Sequence, residues 1–81
     1  MKRVVVYTSP RCTSCAQAKA FLNQRDVAFE ECDISRDSAA MNELIRLGCR
    51  RLPVVRVDHE ICEGFDAAKL RKLLKVEISN E

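Results

Sequence analysis

Val4-Val5-Val6-Tyr7-Thr8-Ser9-Pro10-Arg11-Cys12-Thr13-Ser14-Cys15 is the stretch on which this sequence turns. Its first half is β-branched and aromatic, from Arg3 to Thr8, and apolar without alternation. That pattern suits a strand buried on both faces in the middle of a sheet. Ser9-Pro10-Arg11 breaks the run, and from Cys12 to about Arg25 the period becomes helical. Cys15, Ala18 and Leu22 recur three and four apart with Phe21 beside them, while Gln17, Lys19, Asn23 and Gln24 face away. Two cysteines three positions apart therefore sit where a strand hands over to a helix, a placement that suggests redox chemistry.

Downstream, Val27 to Ile34 reads as a second strand, and the helix between the two strands implies a parallel, right-handed crossover. Ser35-Arg36-Asp37-Ser38 reads as a turn that ends in a helix cap, either Asp37 or Ser38. The helix runs to Leu47, with Ala40, Met41, Leu44, Ile45 and Leu47 expected on its buried side and Gly48 as its stop. Pro53 to Val57 reads as a third strand, and Asp58-His59 as a tight turn into Glu60-Ile61-Cys62. A last helix follows Glu63-Gly64-Phe65-Asp66, with Asp66 able to cap it and Leu70, Leu73 and Leu74 as its buried stripe. Lys72 and Lys75 would complement its dipole near the end. The order β-α-β-α-β-β-α gives an α/β fold with a four-stranded mixed sheet and helices on both faces, the element pattern of the thioredoxin fold.

Composition narrows the function. The chain has 81 residues, two glycines and two prolines, so one small domain spanning 1-81 is expected, without linker or repeat. The 14 basic and 12 acidic residues leave a net charge of +2, and aromatics, at 5%, do not interleave with a basic stripe. Neither feature suggests nucleic-acid binding. The apolar run after Met1-Lys2-Arg3 is too short for a signal-peptide core or a membrane span, and a soluble cytoplasmic protein is expected. Five cysteines, an odd number, argue against a stapled extracellular fold. Zinc is disfavoured because Cys32, Cys49 and Cys62 are isolated and His59 is the only histidine.

The chemistry then falls to Cys12 and Cys15. Only a thiolate attacks a disulfide, and a helix N-terminus with a neighbouring arginine lowers thiol pKa from about 8.5 into the range of roughly 3.5–7.5. Cys12 has that position, beside Arg11 and with Arg50 or Arg51 expected near it in space. Cys15, on the buried stripe, is expected to stay protonated. Cys12 would attack and Cys15 resolve the mixed disulfide. Pro53 reads either as an ordinary strand start or as a cis Leu52–Pro53 bond that turns the Leu52 backbone toward the cysteines to pair with an extended substrate. Cys32 and Cys62 read as buried, inert thiols. Cys49 reads as loop packing or a regulatory thiol, His59 as a surface residue, and Arg50-Arg51 as a solvated pair or an anion clamp.

From Val4 to about Leu74 the chain resembles the glutaredoxin family. The resemblance rests on Tyr7-Thr8, Cys12-Thr13-Ser14-Cys15, Leu52-Pro53-Val54-Val55 and Gly64-Phe65-Asp66. It implies a thiol–disulfide oxidoreductase with a cis Pro53, an attacking Cys12, a resolving Cys15 and substrate pairing at Leu52. A peptide or glutathione groove would be formed by Arg11, Thr13, Arg51, Leu52, Pro53 and the Gly64-Phe65-Asp66 turn, with Asp66 and backbone N–H groups holding a γ-glutamyl end. The run from Cys49 to Val55 and the Gly64-Phe65 turn are similar to the small redoxins that serve ribonucleotide reductase and are recharged by thioredoxin reductase. Asp66 resembles the glutathione-using branch instead. Thr13-Ser14 replaces that branch's usual Pro-Tyr, Ser9 its common lysine and Glu63 a frequent glycine. Glu63 would repel a glutathione carboxylate if it faced the groove. The motif also lacks thioredoxin's Trp and Gly-Pro.

The resemblance thus implies a monomer that acts on a disulfide-containing protein and needs no cofactor, with thioredoxin reductase or glutathione as electron source. The alternative is an iron–sulfur carrier that ligates a cluster through Cys12.

Overall fold

The computed structural model describes residues 3–78, with side chains through 74. The observed order is β1 (Val4–Thr8), α1 (Thr13–Gln24), β2 (Glu30–Asp33), α2 (Ser38–Leu47), β3 (Val54–Val57), β4 (Glu60–Glu63) and α3 (Ala67–Ile78). The strands form one sheet in the order β2-β1-β3-β4. β1 runs parallel to β2 and antiparallel to β3, and β3 runs antiparallel to β4. This is the expected mixed α/β sheet.

All of β1 is buried, as its unbroken apolar run requires. Alternation along the strands then divides the core in two. On one face Val4, Val6, Val55, Val57 and Cys62 meet Ala18 and Leu22 of α1 and Leu70 and Leu74 of α3. On the other, Val5, Tyr7 and Val54 meet Ala40 and Leu44 of α2. Helices therefore cover both faces, two on one side and one on the other.

Local signals set the element ends. Asp37, rather than Ser38, caps α2 by accepting the Ala40 N–H at 3.2 Å. Gly48 stops that helix in the left-handed region, at φ 75°. Asp66 caps α3 by accepting the Lys69 N–H at 3.1 Å.

Three expectations change. β2 begins at Glu30, not Val27. The Val27 N–H donates to the Leu22 carbonyl at 3.0 Å, closing the end of α1, and Asp26 at φ 57° reverses the chain there. Met41 and Ile45 are exposed, at 43% and 66%. They lie about 100° around the helix from the Ala40 and Leu44 column, beyond what a single helix can press against the sheet. Finally, α3 extends to Ile78, so Lys72 is not in its last turn; the side chain of Lys75 lies outside the described residues.

Candidate active site

The corner between β1 and α1 carries the thiols. Ser9 accepts the Cys12 N–H through its carbonyl at 3.3 Å, and the turn delivers Cys12 to the N-cap of α1 in an extended conformation. Cys12 Sγ accepts the Cys15 N–H at 3.1 Å. A cysteine there uses its sulfur where Ser or Asp would use oxygen, and it faces the positive end of the helix dipole. Cys15 lies one turn on, in the apolar stripe, and is 2% exposed, whereas Cys12 is half-buried. The two are joined in a disulfide with Cα atoms 5.2 Å apart. A helical spacing of three brings the pair within the bridging range.

The Leu52–Pro53 peptide is cis, and Pro53 is buried at the entrance to β3. The Pro53 carbonyl accepts the Gly64 N–H at 2.7 Å, which ties the start of β3 to the turn after β4. Gly64 has φ 78°, a conformation that favours glycine at the point where β4 bends into α3. Phe65 follows, its ring edge-on to Phe21 of α1 at 6.0 Å between centroids. The Arg25 guanidinium lies over Phe21 at 4.4 Å. Phe65 is thus braced from α1.

These pieces enclose an open groove of about 760 Å³, lined by Ser14, Arg51, Leu52, Glu63, Gly64, Phe65, Asp66 and Ala67. It brings together Arg51, Leu52 and the Gly64-Phe65-Asp66 turn, and Ser14 joins it to the cysteine turn. Arg11 and Thr13 stand exposed outside that lining, and Pro53, which is buried, is not part of it. Ser14, Glu63 and Ala67 are lining residues beyond the set expected from sequence. The position of Glu63 immediately before the turn glycine was the available signal.

Glu63 is the carboxylate of the groove lining that two backbone N–H groups hold. Its Oε2 accepts the backbone N–H groups of Arg50 at 2.6 Å and Arg51 at 2.9 Å. These bonds hold its pKa below the usual carboxylate range. The Arg50-Arg51 pair therefore contributes backbone donors to an internal anion.

The other thiols lie apart from the pair. Cys62 is buried beneath the β4–α3 turn with its Sγ 3.5 Å from the Gly64 carbonyl oxygen, and burial raises its pKa. Cys32, expected to be buried, is only partly so, because it lines a cleft on the α2 side; what burial it has raises its pKa, with Asp37 and Glu30 adding to the effect. Cys49 is raised by burial and by Glu63, and packs against the α2-side core as a loop residue. His59 is exposed in its turn.

A second cleft of about 420 Å³ lies on the α2 side, lined in part by Arg3, Glu30, Cys32, Glu43, Arg56 and Asp58. Its charges pair with one another, Arg3 with Glu30 and Arg56 with Glu43. Among the described residues no three His, Cys, Asp or Glu side chains are grouped to hold a metal ion. No described helix is long and apolar enough to cross a membrane.

Comparison with known proteins agrees with this geometry. The glutaredoxin family model matches residues 4–62. The glutaredoxin-like protein NrdH of Lactococcus lactis subsp. lactis (strain IL1403) is 31% identical over 70 residues, covering 86% of this chain and 97% of that protein. The structure of NrdH-redoxin from Escherichia coli superposes with a TM-score of 0.82 at 30% identity, over 88% of this chain and 93% of that one. That of the thioredoxin-like protein BC3987 gives 0.84 at 39% identity, over 88% and 99%. A cysteine pair at a helix N-terminus, a cis-proline whose neighbour Leu52 lines one groove with Ser14, and a match along most of the chain lead to one conclusion: this chain belongs to the glutaredoxin family of thiol–disulfide oxidoreductases.

Proposed function

We propose that this protein is a cytoplasmic, monomeric dithiol electron carrier that reduces a disulfide in a protein substrate and is recharged by thioredoxin reductase. The asymmetry of the cysteine pair carries the reading: a half-exposed Cys12 at the helix N-cap and a Cys15 that is 2% exposed. In the reduced protein, the Cys12 thiolate attacks one sulfur of the target disulfide. A mixed disulfide forms, and the other target sulfur leaves as a thiolate. Cys15 then loses its proton and attacks Cys12 Sγ, releasing the second target thiolate and closing the Cys12–Cys15 disulfide. Two electrons have passed to the target. The dithiol of a reductase returns them by the same exchange in reverse.

Leu52, beside the cis bond, is suited to pair its backbone with an extended segment, and Phe65 and Ser14 would flank that segment. Arg11 and Thr13 would meet it from the cysteine turn. Two observations favour thioredoxin reductase over glutathione. Glu63 sets a fixed negative charge in the groove. The E. coli relative, a glutaredoxin-like protein, has a thioredoxin-like activity profile.

The test follows NADPH consumption with a model disulfide. Thioredoxin reductase alone should sustain turnover, and glutathione with its reductase should support far less. Efficient turnover only with glutathione would overturn the choice of reductant.

A further inference from the structure

Glu63 closes β4 opposite Val54, one residue past the cis-proline and one before the Gly64 turn. Two consecutive backbone N–H groups, from Arg50 and Arg51, converge on its Oε2. Adjacent N–H groups aimed at one point form an anion nest. Here the protein supplies the anion itself. Neutral N–H groups orient the carboxylate without cancelling its charge, and the Arg51 and Arg50 guanidinium groups act on it more weakly than those bonds do. Across the turn, Asp66 adds a second carboxylate, tied to the Lys69 N–H. Arg51 is the one cationic residue among the described residues that line the groove.

Building on the dithiol-carrier reading, we infer that Glu63 is a specificity-determining residue of the groove. It fills the nest that would otherwise receive a substrate carboxylate, and with Asp66 it sets two carboxylates against the one arginine of the groove lining. A carboxylate-bearing disulfide meets an occupied nest and like charge. A peptide disulfide with Lys or Arg next to its cysteine meets a complementary wall. The preferred substrate class is a cationic peptide segment carrying a disulfide.

The experiment uses the pre-reduced full chain in single turnover, so no reductase enters the result. Three peptide disulfides are compared, identical except for Lys, Gln or Glu beside the cysteine. At low salt the Lys peptide should react roughly fivefold to tenfold faster than the Glu peptide. The ratio should shrink toward unity near about 1 M salt. Glu63→Gln keeps an acceptor for the Arg50 and Arg51 N–H groups and removes the charge, so its ratio should fall below about twofold. Asp66→Asn, which leaves the anion in the nest, should retain more of the ratio than Glu63→Gln does.

Equal rates in the unaltered protein would overturn the inference. So would a ratio that survives Glu63→Gln and disappears in Asp66→Asn. If none of the three peptides is reduced, the dithiol-carrier reading itself fails.

Discussion

The sulfur of Cys12 accepts the backbone N–H of Cys15 at 3.1 Å, so the residue assigned to attack is also the N-cap of α1. Structure and chemistry at this position can be separated by one substitution. Ser is among the best N-caps, so Cys12→Ser should leave the helix start and the thermal stability nearly unchanged relative to the reduced protein. It removes the thiolate, and disulfide reduction should drop by more than about 100-fold. Cys15→Ser keeps the attacker but not the resolver, and should accumulate a mixed disulfide on Cys12, visible as an added mass that reductant removes. Insulin reduction at the normal rate by the Cys12→Ser protein would refute the assignment.

The Glu63 clamp predicts a local pH response. Two backbone N–H bonds depress the Glu63 pKa in the folded chain. A depressed acid contributes stability that is fully present above its unfolded pKa and is lost as pH falls through the folded one. The loss therefore belongs to the acid side of the ordinary glutamate range. In an NMR titration the amide shifts of Arg50 and Arg51 should move together, with a midpoint below that range, and Glu63→Gln should abolish the movement. Amide shifts that stay flat through acid would mean the clamp does not form in solution.

Much of this architecture could be read from residue pattern, and the failures share a cause. Val4 to Thr8, the Cys15-Ala18-Leu22 stripe, the Asp66 cap and the Gly48 stop are local signals, and each is realised. Val27 looked like strand because its side chain is apolar and packs on the core. Its N–H, however, is used by the Leu22 carbonyl, which no side-chain pattern reveals. The site divides the same way. The cysteine pair and the turn glycine are written in the sequence. The Arg50 and Arg51 N–H groups meeting Glu63 depend on a tertiary approach between the segment before β3 and the end of β4.

The two apolar columns of α2 should differ sharply in energy. Leu44 is 4% exposed and packs among Val5, Tyr7 and Val54, whereas Ile45, its neighbour in sequence, is 66% exposed. Leu44→Ala should cost about 2–4 kcal/mol, combining lost burial with the cavity left behind. Ile45→Ala should stay within about 0.5 kcal/mol, since nothing in the described structure closes over it. Urea denaturation of the two variants measures both. Equal losses would mean that α2 is rotated about its axis from the orientation described.

Gly48 offers the sharpest test of how the chain is led from α2 toward the groove. Its φ of 75° lets its N–H reach the Ile45 carbonyl and the Cys49 N–H reach the Leu44 carbonyl, both at 3.1 Å. These bonds close the helix and direct Cys49-Arg50-Arg51 toward Glu63. A Cβ at this position would meet nothing within 4 Å, so substitution is opposed by backbone conformation alone. Gly48→Ala should then cost about 1–2 kcal/mol, or roughly 4–8 °C in Tm for each kcal/mol in a domain of this size. Gly48→Asn should cost visibly less, because asparagine tolerates the left-handed region. If alanine and asparagine prove equally harmless in thermal melts, the helix does not end in this conformation in solution.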